Sequence, residues 1–223
     1  PDLVYLVHPH FPTGFKSETF ASRMKALLQL AIRNSLSTLF VVDQTYIGFT
    51  TTSADDEELQ VLALEPSSNL VLIRSLSKVD GLAGLRIGVS VASSQLTVEL
   101  SKGLPFGGGL YMSELLLDGA VAALCGPMAT KHRTAALELY KQERDWISKS
   151  LEECGLKVYI AECPFLLVDG PQVVLEHAEK LDSSTLTLVR FPDRDQPSAV
   201  CLVAERAINA RTVWNVASGF KRL

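Results

Sequence analysis

Residues 75–88 read Ser75-Leu76-Ser77-Lys78-Val79-Asp80-Gly81-Leu82-Ala83-Gly84-Leu85-Arg86-Ile87-Gly88. One lysine stands among hydroxyls and glycines, and an arginine follows eight positions later. A primary amine held in a partly desolvated, cationic pocket loses affinity for its proton and becomes a better nucleophile. A guanidinium pairs with phosphate oxygens in fork geometry. A loop carrying both groups can hold a phosphorylated carbonyl compound. For an isolated Ser-x-Ser-Lys the alternative, a solvated lysine in a Gly-rich turn, is the ordinary reading. Here the loop has apolar neighbours on both sides. Asn69-Leu70-Val71-Leu72-Ile73-Arg74 before it and Arg86-Ile87-Gly88-Val89-Ser90-Val91-Ala92 after it both read as strands. Lys78 therefore sits on a strand-end loop, where a rigid sheet positions the chemistry and the loop is free to vary.

A second candidate lies upstream. Thr38-Leu39-Phe40-Val41-Val42-Asp43 is an apolar strand that ends in a carboxylate, and Tyr46 follows three residues later. Alone, an aspartate at a strand end also reads as a helix or turn cap. The four histidines, His8, His10, His132 and His177, receive no catalytic role. His8 and His10 either touch substrate or are polar loop surface. Cys125, Cys154, Cys163 and Cys201 form no Cys-x-x-Cys pair, so metal and redox motifs are absent and the thiols read as core residues.

The elements that must hold these groups in place follow from hydrophobic periodicity. Strands are expected over 3–7, 38–43, 70–74 and 86–92, in a mainly parallel sheet buried on both faces. Ser17 and Glu18 open an amphipathic helix with Phe20, Met24, Leu27, Leu28 and Ile32 at helical spacing and Asn34 near its end. The acidic run Asp55, Asp56, Glu57 and Glu58 reads as a solvated helix start. After Gly126-Pro127 the texture changes: a long helical segment over 130–154 ends before Gly155. Strands over 156–161, 165–169, 185–191 and 199–204 and a helix near 173–181 suit a small α+β domain. The expected division is 1–126 and 127–223.

Composition bounds the partners. At 223 residues, 47% hydrophobic and 21% charged, the chain has an ordinary globular balance. A net charge of −4 offers no basic footprint for nucleic acid. No apolar run reaches the length of a membrane span, and the N-terminus has no secretory pattern, so the expected setting is cytoplasmic.

The Ser75–Gly88 stretch resembles the lysine signature of the class I/II aminotransferases, enzymes of pyridoxal phosphate (PLP) fold type I, and is nearest in wording to the histidinol-phosphate aminotransferase branch. That resemblance implies pyridoxal 5'-phosphate as cofactor, a Schiff base at Lys78, and Ser75, Ser77 and Arg86 as phosphate ligands. Asp43 and Tyr46 resemble the family's Asp-x-x-Tyr, which implies that Asp43 pairs with the pyridine nitrogen and Tyr46 meets the ring hydroxyl. Asp2 to Gly14 resembles the strand followed by Asn-Pro-Thr-Gly, with Phe11 where the asparagine would stand. A phenyl ring cannot replace that donor. Either Tyr46 alone holds the ring hydroxyl, or cofactor chemistry is weakened, or the protein has drifted from transamination. Leu104-Pro105-Phe106-Gly107 resembles the family's Pro-aromatic-Asn loop near its dimer interface, with Gly107 for the asparagine. Arg211 is the best local fit to the arginine that binds the substrate carboxylate; a strand-edge surface arginine is the alternative.

The resemblance implies an α/β fold: a fold type I large domain, incomplete because the family's upstream segment is not visible, plus the small C-terminal α+β domain. It implies a homodimer using a small-molecule amino donor and a keto-acid acceptor. Two further readings stay open. A PLP-dependent decarboxylase or lyase would share Lys78, Asp43 and Arg86. A non-catalytic descendant would account for Phe11 and Gly107, while the retention of Asp43, Tyr46, Lys78 and Arg86 together argues against it.

Overall fold

The computed structural model describes residues 2–11, 13–104, 113–153, 155–159, 161–170, 187–190 and 198–202. The chain divides into two compact units, Pro1–Pro9 with Lys16–Arg133, and His10–Phe15 with Thr134–Leu223.

In the first unit the apolar runs form β1 (Leu3–Val7), β2 (Leu39–Asp43), β3 (Leu70–Ser75) and β4 (Gly88–Val91), in the order β1-β2-β3-β4. The first three are parallel and β4 returns antiparallel to β3. Their alternation sorts side chains by face. Phe40, Val42, Leu70 and Leu72 turn toward α1 (Phe20–Arg33) and α2 (Ala54–Leu64) and form one core with Ala21, Met24, Leu59 and Leu62. Burial on both faces, expected from the continuous apolar runs, holds only in the middle of the sheet. Val41 and Val71 are buried on the second face, but Leu3 and Tyr5 on the edge strand β1 are about half exposed (54% and 52%).

The first helix differs in detail from its expected pattern. It starts at Phe20, and its buried line is Ala21, Met24 and Ala31, with Leu28 partly buried, whereas Leu27 and Ile32 face solvent. Two alanines on the contact face let the helix approach the sheet closely, and the larger residues one step round are left outside. The acidic run is also only partly a solvated helix start. Ser53 and Asp56 form a reciprocal capping box for α2. Asp55 reaches back to accept from the backbone N–H of Ala21 at 3.0 Å, satisfying an orphan donor of α1. Asp56 is buried and ion-paired with Lys16.

His8 is not polar loop surface. It is 3% exposed, and its ring stacks on Phe20 with centroids 4.0 Å apart. Burial pushes its pKa down; Asp56 and Asp55 oppose this and Lys16 adds to it. A folded pKa below the ordinary value means that the unfolded chain binds the extra proton. Stability is then fully present above about pH 6.5 and is lost as pH falls below it, by at most about 1.4 kcal/mol per pH unit. Urea midpoints measured from pH 7 to pH 5 are expected to fall in the wild type and to flatten in His8→Phe, which keeps the stack and removes the titration. Equal slopes would contradict this account.

Farther along, α3 (Ser94–Lys102) and α4 (Glu114–Cys125) begin at Ser93 and Ser113, whose side chains accept from Leu96 N and Leu116 N. Cys125 is exposed, contrary to the core expectation, whereas Cys163 is buried. The second unit contains β5 (Lys157–Tyr159), β6 (Phe165–Asp169), β7 (Thr187–Arg190) and β8 (Ser198–Leu202), an antiparallel sheet in the order β5-β6-β8-β7. Ile147 and Leu151 of the long helix α5 (Ala129–Glu153) are buried, as are Phe165, Leu166 and Val168. Among the described residues no helix is long and apolar enough to cross a membrane. The helix expected near 173–181 lies outside the described residues.

Candidate active site

Asp43 is the last residue of β2, level with Val7 on β1 and Ile73 on β3. Alternation places it on the face away from α1 and α2, together with Val41 and, through the parallel register, Tyr5. Three donors hold its carboxylate. Thr45 donates its backbone N–H at 2.8 Å and its hydroxyl at 2.6 Å to Oδ1. The Tyr5 hydroxyl donates to Oδ2 at 2.5 Å. That bond, with help from burial and the carboxylate charge, pushes the Tyr5 pKa up to about 12. Thr45 closes an Asx turn at the strand end, so the turn-cap role is real and still leaves the carboxylate with unused lone pairs.

Tyr46 opens a short 3-10 turn, Ile47–Phe49. The Lys78 ammonium nitrogen lies 5.7 Å from the centroid of its ring, within cation–π range. Residues 32 apart in sequence are thereby brought together, from loops after adjacent strands. The Lys78 loop is closed by its own backbone: Gly81 N donates to Lys78 O and Leu82 N to Leu76 O, both at 3.0 Å, while Leu76 N reaches Ile87 O at 3.3 Å. Gly81 has φ +71°, a conformation open to glycine and costly for other residues. Beneath the loop, Leu76 and Ile87 pack with Ala120 of α4. The lysine thus hangs from a tight turn pinned to a small apolar cluster.

The expected phosphate ligands occupy the same loop. Ser75 Oγ accepts from Ser77 N at 3.1 Å. Arg86, at φ +55°, is exposed, and its guanidinium donates to Ala83 O at 3.0 Å within its own turn. Arg211, Pro105, Phe106 and Gly107 lie outside the described residues. Phe11 belongs to the second unit, where its ring meets Phe165 edge-on with centroids 5.2 Å apart, an aromatic packing role.

Sequence reasoning missed the residues that brace Asp43 and its neighbour. Tyr5 was legible only as one member of an apolar strand. Thr45 carried a usable signal, an Asp-x-Thr spacing typical of Asx turns. Arg74, half-buried, donates from Nε to Gln44 Oε1 at 2.9 Å and from a terminal nitrogen to Gln60 Oε1 at 3.2 Å, so it fixes the residue next to Asp43. Burial lowers its pKa, and the Asp56 charge opposes that. Arg74 also lines a cavity of about 350 Å³ with Gln44, Thr45, Ser75, Val79 and Asp80.

The first unit thus carries an amine beside a phenol, a braced carboxylate at the neighbouring strand end and a hydroxyl-bearing loop. The sequence model of the family "Aminotransferase class I and II" matches residues 1–191. The chain belongs to this family. Its members are PLP-dependent enzymes. Among curated relatives of this aminotransferase-family chain, histidinol-phosphate aminotransferase 2 of Archaeoglobus fulgidus is 30% identical over 191 residues, covering 81% of the chain and 48% of the relative. Histidinol-phosphate aminotransferase of Paramagnetospirillum magneticum is 30% identical over 176 residues, covering 76% and 43%. The chain therefore spans about half the length of these relatives. Among solved structures, histidinol-phosphate aminotransferase from Sinorhizobium meliloti in complex with pyridoxal-5'-phosphate superposes with a TM-score of 0.73 at 22% identity, covering 99% of this chain and 58% of that one. L-threonine-O-3-phosphate decarboxylase from Porphyromonas gingivalis gives 0.68 at 21%, covering 100% and 65%. The expected fold, an α/β type I architecture with a mainly parallel sheet, is therefore the fold of this protein.

Proposed function

We propose that the whole protein is a PLP-dependent aminotransferase acting on an amino acid or an amino-alcohol phosphate, with Lys78 as the amine that condenses with the cofactor aldehyde. The observation that carries this reading is the placement of the Lys78 amine 5.7 Å from the Tyr46 ring centroid. The donor set fits the cofactor chemically. Asp43, braced by three donors, offers acceptor capacity to a protonated ring nitrogen. Ser75, Ser77 and Arg86 supply hydroxyl and guanidinium donors for a phosphate. Tyr46 supplies a phenol for the ring hydroxyl, and Phe11, which has no polar atom to donate, leaves that contact to Tyr46.

When bound, PLP supplies an electron sink for the charge left by loss of the substrate α-proton. The chain's own task is to orient and to move that proton. Lys78, released by the incoming substrate amine, takes the α-proton as general base and returns one to the product side. Arg211 is proposed for the substrate carboxylate. The same reading carries a homodimer and a cytoplasmic setting, and light scattering of the purified protein tests the first.

Borohydride reduction of the full-length protein followed by peptide mapping is expected to place a pyridoxyl group on Lys78. A label on another lysine, or none, refutes the assignment. A decarboxylase reading uses the same residues and shares its fold with the Porphyromonas gingivalis enzyme. The relatives at 30% identity bear aminotransferase names, which favours transamination. Release of carbon dioxide in place of a keto acid would reverse that preference.

A further inference from the structure

We infer that Tyr5 is a positioning residue for the cofactor's ring nitrogen, acting through Asp43. The inference rests on the PLP reading above and assigns Tyr5 a part in it. Tyr5 and Asp43 stand on adjacent parallel strands, and the register pairs Tyr5 with Val41, two residues before Asp43. Side chains two apart on one strand share a face, so the phenol and the carboxylate are diagonal neighbours, a separation a tyrosine can span. The hydroxyl donates to Oδ2 at 2.5 Å, a short charge-assisted bond. Thr45 occupies Oδ1 with two donors, at 2.8 and 2.6 Å, so only the Tyr5 bond directs Oδ2 among the described contacts.

The consequence is geometric and electrostatic. A carboxylate whose two oxygens are each held by fixed donors cannot swing about its terminal torsion. All three of its partners are donors, so each held oxygen serves as an acceptor. Its remaining lone pairs then point in set directions. A protonated pyridine nitrogen is a donor, so it benefits from an acceptor that is both charged and immobile. The elevated Tyr5 pKa keeps the phenol a donor throughout the working pH range. Tyr5 itself is half exposed on the face that bears Asp43, so its loss would open no cavity in the α1–α2 core.

The test uses the full-length apoprotein and equilibrium titration with two probes: PLP, and 1-deazapyridoxal 5'-phosphate, in which carbon replaces the ring nitrogen. Tyr5→Phe is expected to weaken PLP binding by about tenfold, the low end for a hydrogen bond to a charged group because Tyr5 is half exposed. Binding of the deaza probe should stay unchanged, which also shows that the variant folds. In an Asp43→Asn background, Tyr5→Phe should add no further loss of PLP affinity. Equal PLP affinity for Tyr5→Phe and wild type, with Asp43→Asn still weakened, overturns this inference and leaves the cofactor reading intact. An equal loss for both probes also overturns it, since that is a shape effect. If the wild type takes up no PLP, the cofactor reading falls and this inference falls with it.

Discussion

Lys78→Ala is expected to lower turnover of the full-length protein by about 10³–10⁴-fold while leaving it folded. The loop around Lys78 is shaped by backbone bonds, by Gly81 and by the Leu76–Ile87–Ala120 cluster, none of which uses the ammonium group. Removing the side chain therefore takes away the amine and its contact with Tyr46 and leaves these backbone and apolar contacts in place. Lys78→Arg makes the sharper comparison. An arginine keeps the charge and the contact with an aromatic face, yet it does not lose its proton in a protein and so serves as neither nucleophile nor base. If Lys78 acts only as a charge over Tyr46, Lys78→Arg should retain activity. If Lys78 carries the chemistry, both variants should be equally inactive, and the absorption band of the bound cofactor should shift to that of the free aldehyde in both. Activity in Lys78→Arg within about tenfold of wild type would remove Lys78 from its proposed role.

What the sequence disclosed and what it withheld divide along the range of the interactions. The strands of the first unit were legible because Leu70-Val71-Leu72 and Phe40-Val41-Val42 lie mid-sheet and are buried, so apolar character runs on without alternation. The Lys78 loop was legible because its constraints are local: a positive-φ glycine and hydroxyls at fixed spacing. The helix Ser94–Lys102 left little trace, since none of its residues is buried and only Ser93 marks its start. The contact face of the first helix was misjudged because Ala21 and Ala31 carry weak hydrophobic signals although they are the ones against the sheet. Tyr5 with Asp43, 38 residues apart, and Lys16 with Asp56, 40 apart, depend on strand order and register, which no local pattern encodes. His8 fails for a related reason: a histidine beside a proline reads as loop surface until Phe20 is seen stacked upon it.

The second large effect is on stability, at the Lys16–Asp56 pair. Lys16 donates to Asp56 Oδ2 and to Thr51 O, both at 2.6 Å, and the side chains are 15% and 6% exposed. Ser53 donates to the same Oδ2 from its backbone N–H at 2.8 Å and its hydroxyl at 2.9 Å, so one oxygen gathers the pair and the capping box of α2. Burial by itself would raise the Asp56 pKa; the Lys16 ammonium and the Ser53 donors outweigh it and hold the carboxyl below its ordinary range. Lys16→Met removes the largest of those opposing contributions and leaves a buried carboxylate without its counter-ion, held only by the Ser53 donors. The expected cost at pH 7 is about 3–5 kcal/mol, a large share of the roughly 5–15 kcal/mol that holds a domain folded. Asp56→Asn should cost less, about 1–3 kcal/mol, because the lysine keeps Thr51 O and can reach water. The double variant should be more stable than Lys16→Met alone, since no buried charge remains. The pH dependence gives an independent signature. With a depressed folded pKa, the wild type carries this stability above the unfolded value near 4 and loses it as pH falls through the lower folded value. In Lys16→Met burial is opposed only by the Ser53 donors, so the folded pKa rises from its wild-type value, and acid should stabilise the variant relative to wild type as pH falls from 7 toward 4. Parallel stability curves for the two proteins over that interval would mean that Lys16 does not set the ionisation of Asp56.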